Sequence, residues 1–136
     1  MAKKQGDKML IVDTNKPEGI WTGGENNRFL ATFITPILYE YVEGLSVGMV
    51  IVPPETDSGL HEHKKAQEIW YVIEGKGEIQ IGDEIKEIEP GSLVYSPPET
   101  KHRLINHSPD KSLKALLILC PDGDEKNILD KMNRTI

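Results

Sequence analysis

Turn signals recur along this chain at short, regular intervals, and that spacing constrains its fold more than any other feature. Gly23-Gly24, Pro53-Pro54, Gly75-Lys76-Gly77, Gly82-Asp83, Pro90-Gly91 and Pro97-Pro98 separate short runs rich in Ile, Val, Leu and Tyr. Runs of that length suit strands better than helices, and the pattern predicts an antiparallel sandwich or barrel. Strands are expected over 47–52, 68–74, 93–96, 103–106 and 113–120, with a hairpin of 78–81 and 85–88 around Gly82-Asp83. Residues 9–12 and 29–33 carry a fainter strand pattern. Only the tail, roughly 125–132, has helical spacing, with Ile128, Leu129 and Met132 on one face. No repeat or linker interrupts the pattern, so residues 1–136 are read as one domain.

Charge narrows the partners. The formal net charge of −6 repels nucleic acid, and the basic residues are scattered without interleaved aromatics. The longest apolar run, 116–120, is far too short to cross a bilayer, and the basic start of the chain is not followed by an apolar signal core. With one cysteine, Cys120, no internal disulfide can form, and a cytoplasmic location is expected. Cys120 itself reads as a buried bystander. A small molecule or a protein remains as partner.

Three of the four histidines fall in two clusters. His61-Glu62-His63 places two imidazoles on one side of an extended chain, and Glu68 follows at the head of an apolar run whose face it shares with Trp70 and Val72. A carboxylate leading an apolar face needs a partner, and a metal ion is one. The second cluster begins at His102, which shares a face with Leu104 and Asn106. Imidazole and carboxylate donors together suit a divalent transition ion. Alone, a His-x-His beside a glutamate reads equally well as surface.

In their full settings the two clusters resemble the paired signature motifs of the cupin superfamily. From His61 and His63 there are four residues to Glu68 and six more to Gly75; from Gly91 there are five to Pro97, then His102, then three to Asn106. Fifteen residues separate Gly75 from Gly91, as in compact single-domain members. The resemblance, over residues 59–106, implies an all-β antiparallel jelly-roll barrel with the short C-terminal helix added. It implies one metal held by His61, His63, Glu68 and His102, with Asn106 structural. Manganese or iron is the expected ion, with nickel, zinc and copper as alternatives. Two positions depart from the family pattern: Glu55 and Glu99 stand where glycine is usual, and both bear on loop shape. Glu99 reads as a solvated carboxylate or as a group at the pocket mouth. His107 matches nothing and reads as a turn residue.

The segment Trp21-Thr22-Gly23-Gly24-Glu25-Asn26-Asn27-Arg28 resembles small cupins of the oxalate-decarboxylase-like group. An inward Arg28 would pair with a substrate carboxylate; a surface Arg28 is the equal alternative. Tyr71, Tyr95, Glu99 and Lys101 lie near the motifs, but none stands out as a general base. The expected function is a small metalloenzyme acting on a small carboxylate or oxoacid, of decarboxylase, dioxygenase or isomerase type. The alternative is a metal-dependent binding or sensing module without turnover. A homodimer is expected too, because Ile69, Tyr71 and Ile73 form an apolar outer face.

Overall fold

The computed structural model describes residues 9–134. Ten strands precede one helix: β1 (Gly19–Trp21), β2 (Phe29–Ile34), β3 (Ser46–Val52), β4 (Thr56–Asp57), β5 (Gln67–Glu74), β6 (Gly77–Ile81), β7 (Glu84–Ile88), β8 (Leu93–Ser96), β9 (His102–Asn106), β10 (Leu113–Cys120) and α1 (Lys126–Arg134). They form a six-stranded sheet in the order β1-β2-β3-β10-β5-β8 and a four-stranded sheet in the order β4-β9-β6-β7, every pairing antiparallel. The fold is the expected jelly-roll, although no ladder joins the two sheets edge to edge among the described residues.

Alternation along the strands builds the core between the sheets. In β5, Glu68, Trp70 and Val72 turn inward and are buried, while Tyr71 and Ile73 face out. In β9, His102, Leu104 and Asn106 are buried on one face. Val50, Val52, Trp70, Val72, Leu113 and Ala115 of the larger sheet meet Ile79, Ile88 and Leu104 of the smaller. A second cluster, Ala31, Phe33 and Met49, lies on the outer face of β2 and β3 beneath Val12. Residues 9–12 form no strand, contrary to the fainter strand pattern expected there; Val12 packs on this cluster, while Met9 and Ile11 stay exposed.

Turn chemistry sets the joints. The β6–β7 hairpin closes through Gly82-Asp83, with positive φ at Gly82 as a type II′ loop requires. Gly75, which ends the first motif, has φ +83°, and a Cβ there would sit 2.3 Å from the Ser112 carbonyl oxygen. The position therefore needs glycine on two counts. After β10 the chain turns at residues 121–125 and enters α1, one residue later than the spacing implied. The Glu125 carbonyl accepts from Ile128 and Leu129 N–H, and Leu129 is buried where α1 packs over β1 and β2. No helix among the described residues is long and apolar enough to cross a membrane.

Candidate metal centre

The two motif segments are stitched together by backbone. His61 N–H donates to the His102 carbonyl at 3.1 Å and His102 N–H returns to His61 at 2.7 Å, while Glu99 N–H donates to the His63 carbonyl at 2.8 Å. The pairing brings the three imidazoles together inside the mouth of the fold. Ring centroids lie 5.4 Å apart for His61 and His63, 4.7 Å for His61 and His102, and 5.3 Å for His63 and His102. Trp70 stands edge-on to His102 at 4.8 Å and walls the inner side.

Each ring is oriented from behind, through Nδ1. His61 Nδ1 lies 2.7 Å from the Gly59 carbonyl and His63 Nδ1 lies 2.5 Å from Asp124 Oδ2, both acceptors, so these nitrogens carry the hydrogen. His102 Nδ1 is 3.0 Å from Ser96 Oγ; with the Ser96 hydrogen turned to the Pro97 carbonyl, Oγ accepts from the ring. The three Nε2 atoms are thereby left as the inward-facing set, the arrangement that metal-binding imidazoles show. One donor nitrogen from each ring falls in a group no wider than 4.8 Å. Two bonds of about 2.1 Å span at most about 4.2 Å, so an ion needs only a small inward swing of the rings.

Glu68 approaches two of the three rings from β5, outside the group that the histidines themselves form. Its Oε1 lies 2.9 Å from His63 Nε2 and 3.3 Å from His102 Nε2. The second approach lacks hydrogen-bond alignment, and His102 Nε2, fully buried, has no partner among the described residues. An orphaned buried nitrogen carries a desolvation cost of about 1–3 kcal/mol. Burial alone would raise the Glu68 carboxyl, but His102 and His63 outweigh it and hold it below the usual carboxylate range. Burial opposes the His63 cation, yet Glu68 and Asp124 raise its pKa above the ordinary imidazole value. His61 is lowered, chiefly by burial. The site thus keeps an ionised carboxylate beside an orphaned imidazole, a donor set that fits a divalent ion.

Arg28 follows a loop tied by Thr22 N–H to the Arg28 carbonyl at 2.9 Å and by Arg28 N–H to Thr22 Oγ1 at 3.1 Å. Arg28 is half-buried, its Nη1 donates to the Asn26 carbonyl at 3.3 Å, and the residue lines a cavity of about 40 Å³ with Ser58, His61, Glu68, Trp70 and His102. It also lines an adjoining space of about 240 Å³, floored by His63 and Glu68 and roofed by Asn127, Ile128 and Lys131 of α1. Burial pulls the Arg28 pKa down, against Glu68 and Asp57. Larger hollows of about 820 and 530 Å³ lie elsewhere, near Glu78 and His107 and between the edges β7 and β8, but neither gathers converging imidazoles.

The remaining candidates fall outside. His107 is exposed and pairs with Glu78, as a turn residue would. Tyr71 and Tyr95 face outward, Tyr95 donating to Gln67 Oε1 at 2.9 Å, and Glu99 and Lys101 are exposed. Asp124 escaped the sequence reading: in Asp122-Gly123-Asp124-Glu125 it looks like any solvated acidic turn, and no local pattern ties it to His63.

Comparison with known proteins agrees with this fold. An uncharacterized protein of Methanocaldococcus jannaschii is 30% identical over 82 residues, 60% of this chain and 65% of that protein. The alignment therefore spans just under two thirds of that relative's length. Among solved structures, a predicted oxalate decarboxylase from Thermotoga maritima superposes with a TM-score of 0.68 at 20% identity, covering 84% of this chain and all of that one. An RmlC-like cupin from Shewanella frigidimarina gives 0.66 at 16% identity, over 88% of this chain and 96% of that one. KdgF from a Halomonas species gives 0.64 at 20%, over 79% and 90%. The family model for the cupin domain matches residues 48–119, more than half of the chain. All three clustered histidines and Glu68 lie inside that match, on the strands and loops that bring them together, and the chain belongs to the cupin family.

Proposed function

We propose that the protein binds one divalent transition ion through His61, His63, Glu68 and His102 and acts on a small carboxylate or oxoacid. The orphaned His102 Nε2, facing two other imidazoles and the Glu68 carboxylate, is the observation that carries this reading. Three neutral imidazoles and one carboxylate leave a divalent ion with residual positive charge, so oxygen donors and anions are its natural further ligands. When bound, the ion would supply Lewis acidity, or redox chemistry if it is iron or manganese. Arg28 lines the same cavity and would hold a carboxylate by a charge-assisted pair. The space beside it, about 240 Å³, lies just below the range of about 300–1,000 Å³ usual for drug-sized ligands, which suits a small acid. The Thermotoga maritima relative, described as a predicted oxalate decarboxylase, points the same way.

Binding without turnover is the second reading. It draws support from the inner cavity, whose acidic and basic side chains, Arg28, His61, Glu68 and His102, are all assigned to ion or carboxylate binding, leaving no separate general base. Turnover of small oxoacids and diols, assayed with and without oxygen, separates the two. For binding itself, oxalate should raise the melting temperature of metal-loaded protein and leave the ion-free protein unchanged. Arg28→Ala should weaken that effect by about 1–3 kcal/mol. Equal stabilisation of both forms would place the acid elsewhere, and preference for a neutral polyol would turn the reading toward sugars.

A further inference from the structure

We propose that Asp124 is a positioning residue of the metal site, holding the His63 ring so that Nε2 is presented to the ion. The proposal rests on the metal-binding reading above and assigns a role to the turn between β10 and α1, outside both motifs. His102 is oriented by its place in β9, and His61 by its backbone bridge to His102. His63 lies in neither a strand nor a bridge; its backbone is held only through its carbonyl, which accepts from Glu99 N–H at 2.8 Å, and Glu68 Oε1 meets its ring from the front at 2.9 Å. What holds its ring from behind is Asp124 Oδ2, at 2.5 Å from Nδ1.

That carboxylate is itself held. The next residue, Glu125, is buried, accepting from Thr35 Oγ1 at 2.6 Å through Oε2 and from Gly123 N–H at 2.6 Å through Oε1. Thr35 follows β2 directly, so the turn is clamped to the larger sheet and Asp124 approaches His63 from a fixed base. Of the three rings, only His63 leans on a carboxylate; His61 uses a carbonyl and His102 a hydroxyl. A carboxylate behind an imidazole fixes the tautomer with hydrogen on Nδ1 and makes Nε2 a stronger donor, and losing such a partner typically weakens metal binding 10–100-fold.

Zinc is a suitable probe because it is redox-inert. Its affinity is measured on the full chain by competition with a chromophoric chelator. Asp124→Ala should bind zinc about 10–100-fold more weakly. Asp124→Asn, whose amide oxygen still accepts from Nδ1–H, should recover part of the loss. In the zinc-loaded protein, the nitrogen-resolved NMR spectrum of the histidines should show a slowly exchanging Nδ1–H on His63, lost in Asp124→Ala and retained in Asp124→Asn. Wild-type affinity in Asp124→Ala overturns the proposal. So do equal losses in both variants with an unchanged His63 proton, since the turn would then act only through folding. Failure of the wild-type protein to bind zinc, or full affinity in both His61→Ala and His102→Ala, overturns the metal reading itself and this proposal with it. His107→Ala is the control and should bind normally.

Discussion

Glu55 and Glu99 both occupy left-handed backbone, with φ of 54° and 57°. An L-residue there pays about 1–2 kcal/mol, because Cβ crowds the backbone, and glycine does not. Each is kept in place by a main-chain bond: Glu55 N–H to the Ser108 carbonyl at 3.1 Å, and Glu99 N–H to the His63 carbonyl at 2.8 Å. Glycine loses more freedom on folding, by roughly 0.5–1 kcal/mol, which offsets part of the relief. Glu99→Gly should therefore raise unfolding stability by about 0.5–1 kcal/mol, read from the urea midpoint, whereas Glu99→Ala should bring no gain. A glycine variant less stable than the wild type would show that the backbone here is not strained. These two positions explain why the motif stayed legible in spite of its missing glycines. The loops keep the conformation that glycine would ease, at some cost, and the histidines they carry arrive where the spacing implied. Asp124 was not legible in this way, because its role depends on a contact with His63, a segment far away in the chain.

The strands of four residues or more were legible as short apolar runs set between turn signals. Gly19–Trp21 and Thr56–Asp57 are too short to show a period, and they exist only because β2 and β9 offer them edges. The jelly-roll was expected from the family resemblance alone, and the strand order was not read, as nothing local places β10 between β3 and β5. One element junction depends on a single side chain. Asn106, buried at the end of β9, donates one Nδ2 hydrogen to the Lys111 carbonyl at 2.8 Å and shares the other between the carbonyls of Val52 at 3.0 Å and Pro53 at 3.1 Å, and its Oδ1 accepts from Ser108 N–H at 3.0 Å. It ties β9 to the end of β3 and to the loop entering β10. With each bond contributing roughly 1 kcal/mol and the stranded carbonyls adding to the loss, Asn106→Ala should cost about 2–4 kcal/mol. Asn106→Asp keeps the acceptor but sets a carboxylate against three carbonyl oxygens, and should be no better. Equilibrium unfolding reads both, and an Asp variant as stable as the wild type would refute the network.

At the scale of the whole molecule, the outer face of the six-stranded sheet is covered over only part of its width. Val12 packs over Ala31, Phe33 and Met49 on β2 and β3. Across β5 and β8 the same face carries Tyr71 opposite Leu93 and Ile69 opposite Tyr95, with Ile73 beyond them. Leu93 is 73% exposed, Tyr95 53% and Tyr71 46%, so the cluster is a contiguous apolar patch and not a set of scattered side chains. β8 is also an edge strand, a second reason for this side to be covered. A second copy of the chain is the occupant we propose, because a sheet face can meet its own copy across a two-fold axis. A stable contact of about 800 Å² per partner would take about a tenth of the 8834 Å² surface. Light scattering should therefore give about twice the 15.3 kDa chain mass at micromolar concentration. Leu93→Asp together with Tyr95→Lys should halve the observed mass. Both side chains stand in solvent in the single chain, so the variant should fold. Zinc binding should survive, because Glu68 and Trp70 project from the opposite face of β5. A wild-type monomer, or a dimer that persists in the double variant, would remove this face as the interface.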